Sequence, residues 1–167
     1  MSILFRLILF LFFFANSSLS YACNFNFKAF GSQPQAEAQK FSNGFLTTNK
    51  NLKTVYYPIT NFCSESELKG STVIFHYLEN ELAKIVIERH NFNDRALLKF
   101  SIQQYGDFKR SEGLTFKEWT GSHFWNKGFQ IIAYVAVLKG NNKFEKVEIT
   151  SSMYVNKLSQ KPAHSEK

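Results

Sequence analysis

The chain has 167 residues, with 20 Lys and Arg against 13 Asp and Glu, a net charge of +7, and 19 phenylalanines. That length suits one domain with one core rather than several. Lys28, Lys40, Lys50, Lys53, Lys69 and Lys84 are scattered among neutral residues, which excludes the clustered basic stripe of a nucleic-acid binder. What remains is a solvated basic surface, or one that steers an acidic protein partner or anionic lipid.

Arg6 precedes an unbroken apolar run over 7–15, a polar stretch over 16–20, and then Ser20-Tyr21-Ala22 with small residues at the two positions a signal peptidase reads. This pattern predicts a cleaved secretory signal over 1–22. The apolar run is shorter than the roughly 20 residues that cross a bilayer, so no transmembrane span is expected in the mature chain. The expected address is the periplasm or the exterior. Only Arg6 of the charged residues lies in the signal, so the exported 145 residues keep a charge of +6. Export is a second argument against nucleic acid.

Cys23 and Cys63 are the only cysteines. In an oxidising compartment an even pair reads first as a disulfide, and closing a loop of roughly 41 residues would stabilise the fold by about 4 kcal/mol in the chain-entropy picture. The competing reading is lipidation of Cys23. A lipoprotein signal wants an aliphatic residue three places before the cysteine, and this chain has Ser20 there and Tyr21 next, with Leu19 one place too early.

The domain is expected over 23–157, followed by a polar, frayed tail over 158–167. Residues 24–30 alternate and suit a short strand. Ser32 and Pro34 then open a helix over 35–41 that Asn43-Gly44 ends. Residues 52–63 are strand-like, with Pro58 marking an edge or a bulge. Residues 71–89 form a hairpin around Glu79-Asn80-Glu81. With Asn80-Glu81 as its turn, His76 pairs with Ile85 and Ile74 with Ile87. The core face would carry Ile74, His76, Leu78, Ala83, Ile85 and Ile87. The opposite face, with Phe75 and Tyr77, would face a partner.

Asn93-Asp94 caps a helix that runs to Tyr105-Gly106. Three strand-like runs follow, over 114–125, 129–138 and 144–155, separated by glycine-containing turns. The predicted class is α+β, an antiparallel sheet with two helices. The halves 31–90 and 91–157 would be two copies of an α-βββ unit.

Chemistry is sparse. His76 sits among isoleucines, and neither His90 nor His123 has a partner at metal-ligand spacing, so no metal site is expected. No nucleophile elbow, phosphate loop, dinucleotide fingerprint or calcium loop occurs, and no cofactor is expected. The richest segment is 119–127, where Trp119, Phe124 and Trp125 surround His123 and Gly121. Tryptophan favours anchor positions in interfaces, and the competing reading places both tryptophans in the core. Phe75 and Tyr77 would form a second binding patch.

Leu97-Leu98, Tyr105-Gly106-Asp107, Trp125, Ile131-Ile132-Ala133-Tyr134 and Val147-Glu148-Ile149 together describe a helix ending in Tyr-Gly, a tryptophan-bearing strand and two further strands. This resembles small exported α+β proteins, namely the β-lactamase-inhibitor-protein-like group and the small outer-membrane assembly lipoproteins. The resemblance covers about half of the mature chain and implies a non-enzymatic protein that binds another exported or envelope protein through a sheet face or loops. Ser20 and Tyr21 depart from the lipoprotein pattern. An inhibitor or immunity-type role is the first expectation, an envelope assembly role the second, and an enzyme with a site near His76 or His123 the third.

Overall fold

The computed structural model describes residues 30–31, 45–49, 51–63, 68–110, 115, 117–140 and 142–159. The signal, Cys23, the strand over 24–30 beyond Phe30, the helix expected over 35–41 and the tail beyond 159 lie outside the described residues.

Seven strands form one antiparallel sheet: β1 (Phe45–Asn49), β2 (Leu52–Pro58), β3 (Thr72–Leu78), β4 (Glu81–His90), β5 (Gly121–Lys127), β6 (Gln130–Lys139) and β7 (Asn142–Ser151). Their spatial order is β1-β2-β3-β4-β7-β6-β5. Two meanders thus meet at the centre, where β4 pairs with β7 and Ile87 lies opposite Val147. Helix α1 (Ala96–Tyr105) carries the chain from the central β4 to the far edge, where β5 begins the second meander. A short helix α2 (Val155–Ser159) follows β7. The class is α+β. The second half runs α-βββ as expected, whereas the first contributes four strands.

Helix α1 forms where its capping residues direct. The Asp94 carboxylate accepts the Ala96 N–H at 3.0 Å, and Gly106, at φ 102° and ψ 156°, takes a positive-φ conformation suited to glycine where the helix stops. One face of α1 buries Leu97, Leu98, Phe100 and Tyr105 against the sheet, while Lys99, Gln103 and Gln104 stay in water. The sheet answers with an inner row of Val73, Phe75, Tyr77, Ile85, Ile87, Ile132, Val147 and Ile149, all buried in the same cluster. Full burial of side chains this size contributes about 1.5–3 kcal/mol each.

The β3–β4 hairpin differs from the expected register by one residue. The turn is Glu79-Asn80, with φ of 54° and 70°, the positive values a type I′ two-residue turn needs at both central positions. Glu81 therefore joins the strand opposite Leu78, and His76 pairs with Lys84, Phe75 with Ile85 and Ile74 with Val86. Ala83 is the extra residue of a bulge between the His76 and Tyr77 pairs, which turns Ile85 and Ile87 to the side of Phe75 and Tyr77. Ile74, His76, Leu78 and Ala83 consequently face away from α1, with Leu78 and Ala83 packing on Tyr154 from the C-terminal turn. The Tyr154 hydroxyl donates to Glu81.

β2 is not an edge strand: it pairs with β3 throughout and with β1 over 52–56. Pro58, its last residue, pairs with Thr72 alone, before a 3-10 turn over Ile59–Asn61. The edge on this side is β1.

Candidate functional site

The expected binding residues separate into two groups. Phe75 and Tyr77 are 3% and 0% exposed. They belong to the core and are not a partner-facing patch, because the bulge at Ala83 puts them opposite Leu82 and Ile85 under the helix layer. Trp119 and Trp125, 6% and 8% exposed, are core residues as well. Phe124 is 63% exposed.

The tryptophans hold β5 in place. The Trp125 indole N–H donates to the Gly106 carbonyl at 2.9 Å, tying the strand to the end of α1. Phe108 packs edge-on against Trp119 and Trp125 and lies flat on His123, ring centroids 4.0 Å apart. Burial among these rings lowers the His123 pKa from its ordinary 6.5, so the neutral imidazole is the favoured form. Its ring contacts among the described residues are Phe108 and Trp125. His76 lies on the other face, its Nδ1 3.2 Å from the Thr54 hydroxyl on the neighbouring strand. Among the described residues no group of three or more His, Cys, Asp or Glu could hold a metal ion.

A buried polar cluster went unread in the sequence. Glu145 on β7 is fully buried. Its carboxylate accepts the Leu97 N–H at 3.2 Å and the Tyr134 hydroxyl at 2.8 Å. Arg95 Nε lies 3.6 Å away and Arg89 Nη1 3.8 Å. The Arg95 guanidinium also donates to the Tyr134 hydroxyl at 2.8 Å and to the Trp119 carbonyl at 2.8 Å. Burial raises the Glu145 pKa, and the Tyr134, Leu97 and arginine partners only partly oppose this. An acid under the first turn of a helix is well placed for the helix dipole. Glu145 and Tyr134 have no exposed surface, and the cluster joins the start of α1 to β6 and β7.

The outer face lies away from α1. Tyr56, Ile74, Val86, Glu148, Ala133 and Phe124 are successive register partners across six strands there; Ile74 and Val86 are buried, and the open part lies toward β5 and β6, where Phe124 is exposed. On the β5–β6 side of that face β6 presents Ile131, Ala133, Val135 and Val137. The first three are half-buried and Val137 is exposed. A solvated face of an antiparallel sheet ordinarily alternates to polar residues. Here β6 is apolar on both faces, with Phe124 beside Ala133. Toward the centre the stripe meets a charged border, where Glu148 bonds Lys146 at 2.6 Å and Lys84 at 3.5 Å. An apolar stripe with a charged rim is the anatomy of a protein-binding surface. The sequence signal for it is the unbroken apolar run over 131–138.

Cys63 is buried with Ile59 and Leu68. No protein-family model matches the chain, and comparison with curated proteins and with solved structures finds no match.

Proposed function

We propose that this is an exported, non-enzymatic protein-binding domain whose contact surface is the β5–β6 part of the outer sheet face. The observation that carries the reading is the doubly apolar β6, with Phe124 at 63% exposure next to it. The chain pattern at 1–22 supports export. A Cys23–Cys63 disulfide would fit the same compartment, the two being the only cysteines of the chain. The partner is another exported or envelope protein, in an inhibitor or immunity-type relation like that implied by the resemblance to β-lactamase-inhibitor-like proteins. Phe124 is the anchor, while Trp119 and Trp125 act as its support.

The test is affinity capture from the exported fraction of the native host, wild type against Phe124→Lys. Phe124 reaches into solvent, so the substitution should leave stability within about 0.5 kcal/mol while recovery of the partner falls at least tenfold. A partner retained at full yield by Phe124→Lys removes this surface from the account. Recovery confined to the membrane fraction would favour the envelope-assembly reading.

A further inference from the structure

Phe129 and Met153 are 83% and 76% exposed, the highest values among the large apolar side chains described. They stand on separate loops that the fold ties together. Phe129 is the second residue of the two-residue turn between β5 and β6, after Gly128 at φ 66°. Ser151 pairs with Gln130 at the end of β7, and the next N–H, of Ser152, donates to the Phe129 carbonyl at 2.9 Å. Met153 follows directly. Both side chains therefore leave the same end of the sheet and reach into water.

The backbone beneath them is largely committed. Lys127 and Gln130 close the turn, and Ser152 takes the Phe129 carbonyl. A tip built this way has few backbone groups to strip of water when it enters an apolar medium. The charge beside it is positive. Lys127 is exposed next to the turn and joins none of the ion pairs of the described residues. Glu79 and Glu81, the acids that the C-terminal turn reaches, are engaged with Lys157 and with the Tyr154 hydroxyl. The chain as a whole carries +7.

We infer that Phe129 and Met153 form a tip that docks the exported chain on an anionic bilayer surface, with Lys127 at the level of the headgroups. The charge is complementary to anionic lipid. The shape decides between lipid and protein: two apolar side chains on turn tips, without an apolar floor around them, suit a fluid surface that closes about them. The broad stripe on β6 suits a protein instead. Attachment of this kind lies on the bilayer rather than across it, and among the described residues no helix is long and apolar enough to cross one.

Cosedimentation of the processed protein with vesicles tests the inference, using phosphatidylcholine alone and an equal mixture of phosphatidylcholine and phosphatidylglycerol. The mixed vesicles should bind at least tenfold more protein, and high salt should reduce that excess. The double variant Phe129→Ser, Met153→Ser should lose at least tenfold in binding with an unchanged circular-dichroism spectrum, because neither side chain is packed in the free protein. Phe124→Ser should bind the vesicles as the wild type does, which separates this tip from the protein-binding stripe. Phe129→Trp places an indole at the tip, and brominated acyl chains should quench it while leaving the two core tryptophans of the wild type unaffected. No binding to the mixed vesicles, equal binding by the double variant, or an unquenched indole at 129 overturns the proposal. A captured protein that the double variant loses, without any vesicle binding, would assign the tip to a protein partner and overturn it as well.

Discussion

At β5, neighbouring side chains divide the work by which way the pleat points them. Trp125 turns inward and is fixed by its bond to the Gly106 carbonyl, and Phe124 turns outward into water. His123 belongs to the inward set, stacked on Phe108 and edge-on to Trp125 at 4.5 Å. Its pKa is lowered by burial, so near and below pH 6.5 the unfolded chain binds more protons than the folded one. Stability from this residue is therefore present at neutral pH and is lost as pH falls through the ordinary histidine value toward the lower folded one. Chemical denaturation at a series of pH values should show this loss in the wild type, and His123→Phe should flatten it. An equal slope in both proteins would mean that the imidazole protonates as freely folded as unfolded. The segment 119–127 was legible as rich in aromatic residues. Which rings face out was not, because Phe124 and Trp125 are both large and apolar, and only the pairing of β5 with β6 decides between them.

Helix α1 was readable from end to end. Asp94, one residue before the N-cap Arg95, accepts the Ala96 N–H, Gly106 stops the helix, and the apolar residues between them keep one face. Its anchoring was not readable. Glu145 stands among Lys143, Phe144 and Lys146, where a lone carboxylate looks like one more solvated strand charge. Only the fold brings Arg95, Tyr134 and the Leu97 N–H to it. Removing that carboxylate leaves the Arg95 charge and a helix N–H buried without it. Glu145→Ala should cost about 3–5 kcal/mol, read as a lower denaturation midpoint with the outer face untouched. A loss below about 0.5 kcal/mol, the range of ordinary surface changes, would mean that the cluster does not hold the helix to the sheet. The β3–β4 hairpin shows a different limit. Both of its faces are apolar, so hydrophobic pattern alone could not fix the register. The positive φ at Glu79 and Asn80 and the bulge at Ala83 fixed it instead, and they carried Phe75 and Tyr77 from the supposed surface into the core.

On the scale of the whole molecule, two meanders joined through β4 and β7 give a sheet with one covered and one partly open face. The expectation of two α-βββ halves matches the path of the second half. In the first, the added β1 and the paired position of β2 changed where the edges fall. This matters for function because the other edge is β5, beside the apolar outer side of β6. The C-terminal turn covers the outer face only at the opposite, β3–β4 end, where Tyr154 meets Leu78 and Ala83. The open stripe thus sits on the side of the sheet that the chain leaves uncovered by its own C-terminal turn, and binding through it is the central claim. Photo-crosslinking in the native host tests that claim most directly, with a benzoylphenylalanine placed at Phe124, at Val137, or at Gln103 on the solvent side of α1. The account predicts one discrete adduct with an exported protein from positions 124 and 137 and none from 103. Adducts from 103 alone, or none from the outer face, would contradict it.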